Sequence, residues 1–347
     1  MTQSHTTTAL ATTAPALSAK TTAKHFVIYD TDPGVDDAMA LYYALAHPAI
    51  ELLGITTSFG NVTAPQATAN ALYLTQLAGR NIPVAQGAKQ PLAKHAEAPP
   101  DFIHGSDGLG NLPSRAAATG QADPRSAAQF IVDMARQHPG QITLVPVGPL
   151  TNMALALQLE PKLPQLLKQV VLMGGSIAEH GNVSPVAEAN IWCDPHAADA
   201  VLTAGFKLTM VGLDVTYRVL LPISMFEKIA AKHRHAATDT LLHAVKFYSA
   251  FYQSRFAHMK DFNGCYGHDV LALICLTNPE LFGYESGPTR VVAEGIAQGH
   301  TIMKRQAFMQ YPQTGWEANV PAITACMTVN VPAVTSLFET TLLSAWL

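Results

Sequence analysis

Four carboxylates crowd into eight residues, Asp30-Thr31-Asp32-Pro33-Gly34-Val35-Asp36-Asp37, where one apolar run hands over to another. Charges packed this closely repel by up to about 4 kcal/mol per near pair at an effective dielectric of about 20. A helix start following Pro33-Gly34 favours negative charge at Asp36 and Asp37 by about 0.3–1 kcal/mol each, which compensates one or two of the four. An ordinary Asp-Asp at a helix start is merely a cap, but the Asp-x-Asp placed just upstream calls for a cation. Oxygen donors suit a hard divalent ion, Ca²⁺ or Mg²⁺. The spacing is not that of an EF-hand loop: counted from Asp30, the sixth position is Val35 and the twelfth is Leu41, where Gly and an acid are required.

The elements that must position this cluster follow from the flanking runs. Phe26-Val-Ile-Tyr29 is short, β-branched and aromatic, hence a buried strand, and Ala38–Leu45 has helical length, so the acids occupy a strand-to-helix turn. Further strands are predicted at 50–57, 82–85, 142–147, 170–173 and 208–213, alternating with helices at 64–79, 125–138 and from Thr151 onward. Residues 90–122, rich in Pro and Gly, read as a long loop that holds His104-Gly-Ser-Asp-Gly-Leu-Gly110. Residues 222–260 read as helical, and 286–330 as extra strands leading to a last helix. Such alternation implies an α/β fold, a mostly parallel central sheet of open Rossmann-like type with helices on both faces. Asp32, Asn61, Val147, Met173 and Asp214 all fall just past predicted strand ends, the edge where open α/β sheets bind ligands.

Composition narrows the classes. The chain has 347 residues, 48% hydrophobic and 13% charged, with a net charge of −4. A mildly acidic chain offers no field for nucleic acid. No apolar run reaches the ~18 residues of a membrane span. The weakly charged surface suggests subunit contacts, so a homo-oligomer, dimer or tetramer, is expected. Cys193, Cys265, Cys275 and Cys326 are widely spaced with no C-x-x-C, which fits a reduced cytoplasm rather than a zinc cluster or disulfide framework. Residues 1–24, rich in Thr and Ala, read as a disordered tail without secretory features, leaving 25–347 as a single domain.

The string Asp-x-Asp-Pro-Gly-x-Asp-Asp resembles the amino-terminal signature of the nucleoside hydrolases, the inosine-uridine-preferring N-ribohydrolase family, and further blocks follow in that family's order. Leu144–Asn152 resembles the second block, in which the carbonyl at Val147 completes a calcium shell. Asn182 and Ala187-Glu188-Ala189-Asn190 resemble the ribose-holding segment, with Glu188 and Asn190 toward the 5′-hydroxyl, Asn182 toward the sugar and Met173 near the 3′-hydroxyl. Gly267-His268-Asp269 resembles the last block, in which Asp269 is the final metal ligand and His268 faces the base. His104 resembles a second base-side histidine where purine-specific members carry Trp. Tyr248 and Tyr252, one helical turn apart, read equally as an aromatic wall of the base pocket or as core, and Tyr252 is carried forward as a base contact.

The resemblance implies Ca²⁺-dependent hydrolysis of the N-glycosidic bond of ribonucleosides of the inosine, uridine and cytidine type, in nucleoside salvage. Asp32, Asp37, Asp269 and the Val147 carbonyl would hold the ion. Asp32 would be general base, Asp36 would grip the 2′-hydroxyl with Asn61 beside it, and His268 would be the acid for the departing base. Two other readings compete. One is a Mg²⁺-dependent phosphatase of the haloacid-dehalogenase type with Asp30 or Asp32 as nucleophile, and the other is a ribonucleoside-binding protein without catalysis.

Overall fold

The computed structural model describes residues 24–305 and 320–344. Apart from Lys24, the tail expected at 1–24 lies outside the described residues, as does 306–319 within the expected carboxyl-terminal strands. Strands β1 (His25–Thr31), β2 (Ile50–Thr57), β3 (Val84–Gln86), β4 (Ile142–Pro146), β5 (Gln169–Met173) and β6 (Leu208–Val211) match the six expected. They are followed by β7 (Leu220–Pro222), β8 (Gly264–Tyr266), β9 (Phe282–Val291), β10 (Thr301–Met303) and β11 (Ala322–Val329).

Nine of these strands form one sheet in the order β10-β9-β11-β6-β5-β4-β1-β2-β3. From β3 through β11 neighbouring strands run parallel, and β9 and β10 add an antiparallel edge. The parallel strands read as unbroken apolar runs because both faces are covered. Side chains alternate across the sheet. Val27, Tyr29, Val145, Val147, Val171 and Met173 pack into one core, whereas Ile28, Leu144, Val170 and Leu172 pack into the other. β1 pairs with β2 on one side and β4 on the other, so the chain leaves β1 in opposite directions. That divergence opens a crevice beyond the carboxyl ends of β1 and β4.

Two helices deliver the acids to this crevice. The helix Val35–Ala46 is buried continuously from Val35 to Ala44, so Asp36 and Asp37 in its first turn are carried into the interior rather than left as solvated caps. The helix Val270–Thr277, apolar as far as Leu276, packs against Val35–Ala46 and β5 and starts at Asp269.

Several local expectations need correction. β6 stops at Val211, and the residues read as its end form a short helix, Leu213–Thr216, capped by Gly212. The stretch read as helical over 222–260 is broken into Ile223–His233 and Ala236–Arg255, because Arg234 takes a left-handed conformation at φ 50°. The long loop contains a single helical turn, Asp101–His104. The small antiparallel pair β7-β8 went unforeseen, since three residues per strand are too few to show a period.

Candidate active site

The acidic turn is organised around Asp37, whose carboxylate accepts four hydrogen bonds. Its Oδ1 takes one from Thr31 Oγ1 at 2.5 Å and one from the Asp32 amide at 3.3 Å, and its Oδ2 takes one from the Gly34 amide and one from Asn61 Nδ2, both at 2.9 Å. Donors in this number favour the ionised form, although burial, the largest influence, still pushes the group upward. Asp32 lies alongside. Its Oδ2 accepts from the Asn61 amide at 2.6 Å, and its Oδ1 is buried without a partner. Asn61 therefore clamps two carboxylates at once. Gly60, at φ +148°, makes this approach possible, since a Cβ there would land on the Asp32 carboxylate.

Asp36 completes the group. Tyr248 donates to its Oδ2 at 3.2 Å, whereas its Oδ1 is buried and unpartnered. Burial, and next the charge of Asp37, push its carboxyl up to about 8. Asp269, from the far end of the chain, is held well above the usual carboxylate range by burial and then by Asp36, Asp37 and Asp32. Asp36, Asp37 and Asp269 each offer an oxygen within 4.8 Å of the others. Acids raised by burial and by one another, their oxygens gathered within 4.8 Å and the Oδ1 atoms of Asp36 and Asp32 left without a partner, fit a hard cation with oxygen ligands. The sequence assigned Asp36 to the sugar and Asp32 to the ion; the three acids whose oxygens converge are Asp36, Asp37 and Asp269, with the orphaned Asp32 Oδ1 belonging to the same turn.

The fourth expected ligand, the Val147 carbonyl at the end of β4, accepts from Asn190 Nδ2 at 2.8 Å. The same amide reaches the Met173 carbonyl at 3.2 Å, so Asn190 ties the ends of β4 and β5 together. Glu188 is buried and caps the helix Ala189–Cys193: Oε1 accepts from the Asn190 amide, and Oε2 from the amides of Gly175 and Ile191. Asn182 Oδ1 accepts from the Ala189 amide at 2.9 Å. These residues form one wall of the crevice, held by bonds among themselves.

The opposite wall is aromatic. His104 Nδ1 accepts from the Val35 amide at 3.2 Å, which leaves the proton of the neutral ring on Nε2. Burial, and then His268, lower its pKa to about 3. The ring stacks on Tyr248 with centroids 5.2 Å apart and fits because Gly34 has no side chain: a Cβ there would sit 2.6 Å from Nδ1. From Asp36 a chain of bonds runs outward. Tyr248 hydroxyl donates to Asp36, Tyr252 hydroxyl donates to Tyr248 at 2.9 Å, and His268 Nε2 lies 3.1 Å from the Tyr252 oxygen. With the Tyr252 proton spent on Tyr248, Nε2–H donates, and Nδ1 accepts from Thr216 Oγ1 at 2.8 Å. Burial lowers His268 to about 4, so the ring is neutral at pH 7.

The structure thus brings together Asp32, Asp36, Asp37, Asp269, Asn61, His104, Tyr252 and His268 in one connected network. Tyr248 and Thr216 are members that sequence reasoning did not assign. The i, i+4 spacing of Tyr248 and Tyr252 was the available signal for the first. For Thr216, remote in sequence from His268, there was none. Asp30 stands behind the turn, its Oδ1 accepting from Thr56 Oγ1 at 2.6 Å and Asn152 Nδ2 at 2.8 Å, as a brace between β1, β2 and the start of the helix Thr151–Leu159.

The model of the inosine-uridine preferring nucleoside hydrolase family matches residues 27–336. A probable uridine nucleosidase 1 from Oryza sativa subsp. japonica is 38% identical over 320 residues, covering 92% of this chain and 96% of that protein. An inosine-uridine preferring nucleoside hydrolase from Leishmania major is 36% identical over 282 residues, covering 80% of this chain and 87% of that protein. A solved plant nucleoside hydrolase, PpNRh1, superimposes with a TM-score of 0.87 at 34% identity, covering 92% of this chain and 99% of its own.

Proposed function

Because the chain belongs to the inosine-uridine preferring nucleoside hydrolase family, enzymes that hydrolyse the N-glycosidic bond of ribonucleosides, we propose that it carries out this reaction with Ca²⁺ at the acidic turn and His268 at the leaving base. The observation that supports this most directly is the convergence of Asp36, Asp37 and Asp269 within 4.8 Å, deep in the crevice where the strand order diverges. Asp37 and Asp269 would hold the ion with Asp32 and the Val147 carbonyl, leaving Asp36 Oδ1 for the ribose 2′-hydroxyl. When bound, the ion supplies Lewis acidity, lowering the pKa of a coordinated water and fixing the diol of the sugar.

The remaining work falls to the side chains. Asp32 would take the proton of the attacking water as general base, a role supported by its having one oxygen pinned by Asn61 and the other unpartnered. Positive charge develops on the ribose ring as the base departs. The surrounding carboxylates stabilise it at close range in a buried site. On the leaving-group side, neutral His268 holds a proton on Nε2 at the end of the chain running through Tyr252 and Tyr248 to Asp36. The proton that Nε2 would give to the base is balanced by the one Asp32 takes from the attacking water, so the site regains its starting charge once the products leave. Glu188, Asn190 and Asn182 form the wall for the 5′-hydroxyl and the sugar, Met173 lies by the 3′-hydroxyl, and Asn61 stands beside the 2′-hydroxyl.

The substrates expected are inosine, uridine and cytidine, with nucleoside salvage the setting and the cytoplasm the compartment. Among the described residues no helix is long and apolar enough to cross a membrane. The low charge content favours a homo-oligomer. Ribose release from inosine and uridine, assayed as reducing sugar with and without a calcium chelator, tests the proposal: turnover lost on chelation and restored by calcium is expected. Full turnover in a metal-stripped preparation would overturn it.

A further inference from the structure

Away from the crevice, at the amino-terminal end of β5, the molecule has a cavity of about 230 Å³. Its floor is a cross-strand row, Val171 beside Thr209 beside Thr324, and its wall is the end of the helix Val270–Thr277, with Cys275 and Tyr284. Cys275 Sγ lies 3.6 Å from Cys326 Sγ, on β11, and 3.6 Å from the Tyr284 hydroxyl. Nothing in nucleoside hydrolysis uses these groups. Two thiols in van der Waals contact, one of them lining the cavity, are placed for chemistry with a small oxidant.

We propose that Cys275 and Cys326 are a peroxide-responsive dithiol that closes to a reversible intramolecular disulfide, with the cavity admitting the hydroperoxide. The Cys275 thiolate attacks one peroxide oxygen and the O–O bond breaks, giving a sulfenic acid at Cys275 and, after protonation, one water. Cys326 sulfur then displaces the hydroxyl: the S–S bond forms, the S–O bond breaks, and the thiol proton leaves with it as a second water. The dithiol gives up two electrons and two protons, and the peroxide takes both.

Cys275 is the attacking member on two grounds. It lines the cavity, which Cys326 does not, both being buried, and its contact with Cys326 holds it below the usual thiol range. Cys193 and Cys265 are both pushed upward, by burial first, and so present less thiolate. The helix bearing Cys275 starts at Asp269, so the pair and the acidic cluster sit at opposite ends of one helix.

The full chain is titrated with hydrogen peroxide, denatured, alkylated and digested without reductant for mass spectrometry. The expected result is a peptide linking Cys275 to Cys326, abolished by dithiothreitol, with loss of two of the four thiols. In Cys326→Ser, or in Cys326→Ala if the serine variant folds poorly, the link is absent and dimedone captures a sulfenic acid at Cys275, while base release by the reduced protein is unchanged. Alkylatable Cys275 in wild type after peroxide has oxidised Cys193, or a Cys275 dimedone adduct in place of the link in wild type, would overturn the proposal.

Discussion

Removing the cation from a cluster of buried acids should make the protein less stable as pH rises, opposite to the usual behaviour of a paired carboxylate. Asp36 illustrates the sign. Its carboxyl is pushed up to about 8 in the fold, against an ordinary value of 3.8. The folded state therefore binds the proton more tightly than the unfolded chain, and that stabilisation, complete below pH 3.8, is lost as pH rises through 8. The buried histidines oppose this at lower pH. His47 and His268 are lowered to about 4 and His104 to about 3 from 6.5, and each adds stability with rising pH only up to the unfolded value. Above pH 7 only a small part of their slope is left, and the carboxylates dominate.

Between pH 7 and 8 the mean proton occupancy of a group with pKa about 8 is roughly three-quarters, which at about 1.4 kcal/mol per unit gives a loss of about 1 kcal/mol from Asp36. In a chain of this size that corresponds to about 2 °C in Tm. A calcium ion held beside Asp36 disfavours that proton, so calcium affinity should rise by up to about fivefold from pH 7 to 8. Thermal unfolding of chelator-stripped protein at the two pH values, beside calorimetric calcium titration in buffers of different protonation enthalpy, measures both. A stripped protein whose Tm climbs from pH 7 to 8, or a calcium affinity identical at the two, would refute the assignment of raised carboxyls to the cup.

Other substitutions probe the remaining groups. Asp32→Ala should abolish base release and weaken calcium binding; wild-type rates in that variant would remove Asp32 as the base. His268→Ala should slow inosine by about 10²–10⁴-fold yet leave p-nitrophenyl riboside, whose leaving group needs no proton, within a few-fold; equal losses on both would exclude an acid role. Thr216→Val deprives His268 Nδ1 of its donor and should cut kcat on inosine about tenfold or more with KM little changed, with Thr216→Ser restoring it, and a loss shared by the serine variant would mean a packing role instead. Leu273→Ala, in the fully buried helix behind Asp269, should cost about 2–5 kcal/mol of stability by denaturant unfolding.

The parallel strands and the acidic turn were legible because each leaves a local mark: runs such as Leu144–Val147 that are buried on both faces, and four carboxylates too close to coexist unaided. Even the distant Asp269 could be placed through its resemblance to a family block. Local pattern alone did not divide the labour among the neighbouring acids; that came only through the family resemblance, because which carboxylate faces a common point depends on side-chain direction within a single turn. Nor could it give the Thr216 partner of His268, which arises only when Leu213–Thr216 packs beside the base wall. Short elements such as β7, β8 and Ala189–Cys193 escaped because a few residues carry no period, and Glu188 proved to be the cap that starts the last of them.

The position of β11 bears on how the chain is made. Among the described strands it is the last in chain order, yet it is seated inside the sheet, parallel to β6 on one side and antiparallel to β9 on the other. Until it emerges from the ribosome, both of those neighbours present open edges of unpaired amides and carbonyls, the condition that invites intermolecular strand pairing. Protein ending before Ala322 should therefore aggregate rather than accumulate as a smaller soluble species, and nascent chains stalled at that point should depend on chaperones.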